Sequence, residues 1–89
     1  MKKAYIITIE GRVQGVGFRY FTSAIAKELD IKGYTRNTPD GNVYIVAEGE
    51  ERDLNKFIIQ CNKGPILARV TKLITKETKV SDYDQFRIR

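Results

Sequence analysis

The chain has 89 residues and a formal net charge of +5, with one cysteine and no histidine. This length predicts one domain, which we place over residues 1–89. The missing histidine excludes catalytic sites of the Ser-His-Asp or Cys-His kind, and the lone cysteine excludes both an internal disulfide and a zinc centre built from Cys and His. The apolar fraction of 42%, with 30% charged residues, predicts a globular fold with a small core.

The apolar runs are far shorter than the roughly 18 residues that a membrane-spanning segment needs. Glu10 and Arg12 interrupt the apolar stretch near the N-terminus. We therefore expect a cytoplasmic protein with no signal peptide and no membrane contact, and we expect it to act as a monomer. The net charge favours an anionic partner but does not choose between nucleic acid and a small phosphate ester.

The first third of the chain predicts a strand, a loop and a helix. Residues 4–9 alternate as in a strand, with Tyr5, Ile7 and Ile9 on one face. Both faces are mostly apolar, so we expect this strand to be central. Residues 11–17 are glycine-rich and predict a loop. Apolar side chains then recur at helical spacing, which predicts a helix from Phe18 to about Asp30. Its expected apolar stripe is Phe18, Phe21, Ile25 and Leu29.

A β-hairpin follows. Residues 31–38 and 43–48 predict two strands, and the segment Pro39-Asp40-Gly41-Asn42 between them has the composition of a tight turn. We expect Val43, Ile45 and Ala47 to share one face of the second strand.

The last part of the chain predicts a helix and two strands. Residues 49–53 predict a charged turn before the helix, which ends at Lys63-Gly64-Pro65. Residues 67–75 and the shorter 83–88 predict strands, separated by a polar connection. The apolar stripe of the helix is Leu54, Phe57, Ile58 and Cys61.

This element order predicts an α/β (α+β) sandwich of the ferredoxin-like βαββαβ type. The sheet is expected to be mainly antiparallel, with both helices on one face and a short extra strand at the C-terminus. With right-handed crossovers, we expect the strands at 4–9 and 67–75 to lie in the middle of the sheet.

The segment Gly15-Val16-Gly17-Phe18-Arg19 has the composition of an anion-binding loop. Glycines let a loop turn its N–H groups inward, and the start of a helix adds a positive dipole end. Arg19 opposes that dipole, so its position does not serve helix stability, and a guanidinium suits phosphate oxygens. The alternative is that the glycines serve only the shape of the loop and that Arg19 is simply solvated.

Asn37 lies near the end of a predicted strand, just before the turn. Its amide both donates and accepts hydrogen bonds and does not titrate, so it is able to orient a water molecule. The alternative is that Asn37 caps the turn. For Asp40 we expect a role in forming the turn.

Two segments together resemble the signatures of the acylphosphatase family. The first is Gly11-Arg12-Val13-Gln14-Gly15-Val16-Gly17-Phe18-Arg19, and the second is Gly33-Tyr34-Thr35-Arg36-Asn37, followed by Gly41, Val43 and Gly49. The resemblance implies the ferredoxin-like fold and hydrolysis of the carboxyl–phosphate bond of acyl phosphates, without a metal or another cofactor. Inorganic phosphate is then the product and a competing ligand.

The resemblance also implies roles for individual residues. Arg19 would bind the phosphoryl group, and Asn37 would position the attacking water. The amides of Gly15, Val16, Gly17, Phe18 and Arg19 would surround the phosphate oxygens. Two positions depart from the family pattern: Thr35 replaces a small apolar residue, and Asp30 replaces a glycine after the first helix.

A non-catalytic ferredoxin-like module, either RNA-binding or regulatory, is the alternative function. RNA-binding sheets of this topology carry closely spaced aromatic residues on exposed strands. Residues 42–48 contain a single aromatic, Tyr44, and end on the acidic Glu48, so we expect no nucleic-acid partner.

Overall fold

A computed structural model describes all residues, 1–89, and contains five strands and two helices. Neither helix is long and apolar enough to cross a membrane. The elements, in chain order, are β1 (Lys2–Arg12), α1 (Phe18–Glu28), β2 (Lys32–Asn37), β3 (Val43–Glu50), α2 (Glu51–Lys63), β4 (Arg69–Thr78) and β5 (Phe86–Ile88).

The strands form one sheet in the order β4-β1-β3-β2-β5, in which only β2 and β5 run parallel. The mainly antiparallel ferredoxin-like sandwich and the central position of β1 are confirmed. The predicted central position of the strand at 67–75 is wrong, because this strand is β4 and lies at the edge. The hairpin holds β3 beside β2, and β3 then takes the remaining place beside β1. Lysines such as Lys72 and Lys76 suit an edge strand, where they discourage pairing with other chains.

Both helices pack on one face of the sheet and bury a single core. Ile7 and Ile9 of β1, and Val43, Ile45 and Ala47 of β3, point towards the helices and are fully buried. Alternate side chains of the same strands therefore lie on the opposite, open face. The predicted facing of both strands is confirmed.

The buried face of α1 differs from the predicted stripe. Phe18 is buried as expected, but the other buried residues of the helix are Thr22, Ser23 and Ala26, whereas Phe21 and Ile25 are half-buried. Small side chains at the contact let α1 approach the sheet closely. The larger apolar groups then lie at the margins of the contact, where Ile25 faces a groove shared with Ile59 of α2.

Several helix and strand boundaries also differ from the predicted ones. The predicted charged turn at residues 49–53 is absent. Lys2 pairs with Glu50, so the β1–β3 ladder continues to the residue just before α2 begins at Glu51. The last two strands begin later than predicted, and β5 is reduced to Phe86–Ile88. The predicted stripe of α2 is confirmed for Leu54, Phe57 and Cys61, which are fully buried, while Ile58 is half-buried against the same core. Burial raises the pKa of the Cys61 thiol.

A buried carboxylate fastens the connection between β4 and β5. Glu48 lies on the open face of the sheet, yet its side chain is fully buried. Its carboxylate accepts hydrogen bonds from the backbone N–H groups of Ser81 and Tyr83, which replace those to water. Residues 79–85 therefore cross this end of the open face and deliver β5 to its place beside β2.

The two departures from the family pattern have different structural outcomes. Asp30 adopts a left-handed backbone with φ of 58°, so it takes the conformation that a glycine would supply. Thr35 is fully buried, and its hydroxyl has no hydrogen-bond partner. An unpaired buried hydroxyl lowers stability, because it gives up water without a replacement.

Replacing Thr35 with valine is therefore expected to raise the free energy of unfolding by about 1 kcal/mol. Urea unfolding followed by circular dichroism measures the change. Thr22→Val is the matched control, since the Thr22 hydroxyl is equally buried but donates to the Arg19 carbonyl at 2.9 Å. It should lower stability by about 1 kcal/mol. Equal effects of the two substitutions would contradict the assignment.

Candidate active site

The loop between β1 and α1 is built on two glycines in the left-handed region. Gly15 has φ of 71° and Gly17 has φ of 80°. Residues with a Cβ rarely adopt this backbone conformation. These two positions therefore favour glycine, even though a Cβ would contact no neighbouring atom. Gly17 is also the N-cap of α1 and provides no side-chain acceptor for the first turn.

The backbone N–H groups of this segment have no acceptor within the protein. The first hydrogen bond of α1 runs from the Phe21 N–H to the Gly17 carbonyl at 3.0 Å, and no bond is donated by the amides of residues 15–17. The N–H groups of the first helical turn are likewise unpaired within a helix. Successive free N–H groups at a helix N-terminus form an anion-binding site, since their dipoles favour negative charge.

The guanidinium of Arg19 is held beside this loop by Arg89, the residue that follows β5. Its Nη1 donates to the main-chain oxygen of Arg89 at 3.0 Å. Arg89 in turn donates its N–H to the Thr35 carbonyl at 2.8 Å, which fastens it to β2. One hydrogen bond uses one of the five guanidinium donors, so the remaining donors are available to a ligand.

Gln14 connects the loop to the turn that follows Asn37. Its side-chain amide donates one hydrogen bond to the Thr38 carbonyl and another to the Asn42 carbonyl, each at 2.8 Å. Both hydrogens of the NH₂ group are thereby used. The two segments that carry Arg19 and Asn37 are therefore joined by a side chain as well as through the sheet.

Arg19 and Asn37 line one open cleft of about 200 Å³. The cleft brings together most of the residues predicted for the site. Val16 is not among its lining residues, and its side chain packs against the core instead. The lining residues are Val13, Gly15, Gly17, Phe18, Arg19, Tyr20, Asn37 and Ile88.

Sequence reasoning missed five residues of this neighbourhood, among them Val13, which lines the cleft. Gln14 carries a recognisable signal, because a residue with two donors lies inside a glycine-rich loop. Tyr20 and Ile88 line the cleft without a local pattern that marks them, and Arg89 contributes through its backbone alone. Asp40 lies outside the cleft and contacts the hydroxyl of Thr38 within the turn, which confirms its predicted role there.

The open face of the sheet carries the tyrosines that an RNA-binding module would need. Tyr34 and Tyr44 lie there with ring centroids 6.3 Å apart. Arginines already cover both rings: the guanidinium carbon of Arg36 lies 4.5 Å from the Tyr44 centroid, and that of Arg89 lies 3.8 Å from the Tyr34 centroid. Each of these two rings therefore has a guanidinium of the protein itself against one of its faces.

Comparisons with known proteins identify the family. The acylphosphatase family model matches residues 5–88. The acylphosphatase of Archaeoglobus fulgidus is 50% identical over 82 residues, which cover 92% of each chain, and that of Thermotoga maritima is 49% identical over 98% of this chain and 97% of its own. The crystal structure of the Bacillus subtilis acylphosphatase matches with a TM-score of 0.96 and 37% identity, over 100% of this chain and 99% of that one. None of these relatives supports a non-catalytic module, and the chain belongs to the acylphosphatase family.

Proposed function

We propose that Arg19, the loop amides and Asn37 together carry the hydrolysis of acyl phosphates that belongs to this family. The observation that carries the proposal is that an anion-binding loop, a guanidinium and a neutral amide converge on one cleft. We take residues 1–89, acting as a monomer, to be the catalytic unit, since this one chain already places Arg19 and Asn37 in the same cleft.

The phosphoryl group of the substrate lies against the loop, where the amides of Gly15, Val16, Gly17, Phe18 and Arg19 face its oxygens. Arg19 adds a fixed positive charge and a planar pair of donors. Phosphoryl transfer depends mainly on positioning and on stabilising the charge of these oxygens. Donors held by the backbone need not reorganise during the reaction, so they stabilise the transition state efficiently.

The Asn37 amide orients the attacking water. The water oxygen forms a bond to phosphorus, the bond between phosphorus and the acyl oxygen breaks, and its electron pair leaves with the carboxylate. The proton of the water passes to a phosphoryl oxygen of the substrate. A carboxylate is a good leaving group, so the reaction does not require the histidine that the chain lacks. Inorganic phosphate is the second product and competes for the same donors.

Arg19→Ala is expected to lower kcat/KM for benzoyl phosphate roughly a thousandfold and to weaken inhibition by inorganic phosphate, because the main charge on the phosphoryl group is lost. Arg19→Lys should recover little of this loss, since an ammonium cannot replace the planar pair of donors. Steady-state hydrolysis measures both effects. Arg52→Ala, on the exposed surface of α2, is the matched control. Wild-type phosphate inhibition in Arg19→Ala would rule out the assignment.

Asn37→Ala is expected to lower kcat about a hundredfold, because the water loses its orienting group. The inhibition constant of inorganic phosphate should change less than about twofold, since the loop and Arg19 remain. The control is Asn55→Ala on the exposed surface of α2. Full turnover by Asn37→Ala would show that another group positions the water.

Gln14→Met keeps the length of the side chain but removes both donors that hold the turn. We expect it to weaken phosphate inhibition and to lower kcat together, because the loop and the Asn37 strand lose their common support. The free energy of unfolding should fall by about 1–2 kcal/mol. Kinetics and urea unfolding of the same variant measure the two effects. A loss of stability with unchanged kinetics would limit Gln14 to a role in folding.

A further inference from the structure

A single hydrogen bond holds the side chain of Arg19 within the protein. Its Nη1 donates to the main-chain oxygen of Arg89, and no carboxylate pairs with the guanidinium. A long side chain held by one bond keeps much of its rotamer freedom, so its position depends on how firmly the acceptor is held. The placement of Arg89 therefore determines where the guanidinium lies.

Arg89 is held at two points by β2. Its N–H donates to the Thr35 carbonyl, and its guanidinium carbon lies close over the centre of the Tyr34 ring. The Tyr34 ring is supported in turn by Tyr83, whose ring meets it edge-on with the centroids 5.9 Å apart. Tyr83 belongs to the connection between β4 and β5, so the support of Arg89 extends into that connection.

The connection between β4 and β5 has few attachments of its own. No backbone–backbone hydrogen bond involves residues 79–84, and the ion pair of Lys2 with Asp82 is exposed to solvent. Exposed ion pairs contribute little to stability. The main polar attachment of this segment is therefore Glu48, which accepts hydrogen bonds from the N–H groups on either side of Asp82.

The backbone around Asp82 is shaped to receive this carboxylate. Asp82 has φ of 59°, a left-handed conformation that residues with a side chain rarely adopt. Such a turn directs neighbouring N–H groups to one side, where they form a small anion-binding concavity. The Glu48 side chain fills this concavity and is fully buried. Because a buried carboxylate without partners is costly, these hydrogen bonds hold the two segments together firmly.

We propose that Glu48 is a positioning residue of the active site: it fixes the β4–β5 connection and so keeps Arg89 where its main-chain oxygen holds Arg19. Glu48 does not line the cleft, so its effect is indirect. Without its carboxylate, the connection and the Tyr83 ring leave their docked position in a fraction of the molecules. The apparent affinity for a phosphoryl group then falls with the fraction in which the guanidinium is still held. The inference rests on the proposed function, which assigns phosphate binding to Arg19.

The first experiment removes the attachment with Glu48→Met, which keeps the length of the side chain but offers only a weak sulfur acceptor. Inhibition of benzoyl phosphate hydrolysis by inorganic phosphate should weaken about tenfold, and kcat/KM should fall by a similar factor. Glu48→Gln keeps one acceptor oxygen and should lose only about threefold in each. Glu50→Met makes the same change at an exposed carboxylate of β3 and should leave both quantities unchanged.

A double-mutant comparison shows whether the effect passes through Arg19. In the Arg19→Ala background, Glu48→Met should cause no further loss of kcat/KM, because the guanidinium that it positions is already absent. Ile7→Val is the control for a general loss of stability. It deletes a buried methyl group of β1, far from the β4–β5 connection in the sheet, and should leave phosphate inhibition and kcat/KM unchanged.

Unchanged phosphate inhibition in Glu48→Met, equal losses of kcat/KM in both backgrounds, or the same losses in Ile7→Val would overturn the positioning role and leave the phosphoryl site standing. If Glu48→Met does not fold, Glu48→Gln carries the same comparison: its loss should disappear in the Arg19→Ala background, and wild-type kinetics in Glu48→Gln would overturn the role. Wild-type phosphate inhibition in Arg19→Ala would instead overturn the proposed function itself.

Discussion

The cleft depends on a run of backbone N–H groups that the fold leaves without an internal acceptor. Unpaired donors destabilise a protein unless solvent or a ligand reaches them, so the loop must remain at the surface. The left-handed glycines, Gly15 and Gly17, turn the chain within a few residues, and α1 starts without a capping side chain. The same features that make this segment a poor helix start make it a good receptor for an anion.

β2 and its neighbour β5 position the side chains around that loop. Asn37 is the last residue of β2, and the Arg89 N–H bonds to the Thr35 carbonyl of the same strand. The main-chain oxygen of Arg89 then holds Arg19. Arg89, the residue that follows β5, therefore connects the guanidinium to the strand that carries the amide. Residues 79–85, fastened by Glu48, determine where this strand docks.

The local pattern predicted those elements whose partners are close in sequence. The hairpin, the α2 stripe of Leu54, Phe57 and Cys61, and the glycine-rich segment before Phe18 all agree with the structure. The pattern failed where contacts between segments distant in sequence determine which side chains are buried. Apolar spacing assigned Phe21 and Ile25 to the buried face of α1, but the sheet accepts the smaller Thr22 and Ala26 there, because close approach of helix and sheet outweighs the size of individual side chains.

By itself, the sequence determined the element order, the facing of β1 and β3, and the residue types suited to acyl phosphate chemistry, since periodicity and the two signature segments are local properties. Only the tertiary structure decided that β3 lies beside β1 and β4 at the edge, and that Tyr20 and Ile88 line the cleft. The same holds for the hydrogen bonds by which Gln14 joins the loop to the turn and the Arg89 backbone holds Arg19. These features depend on strand pairing and docking between distant segments. Local propensity does not encode such contacts, because they form only when the whole sheet assembles.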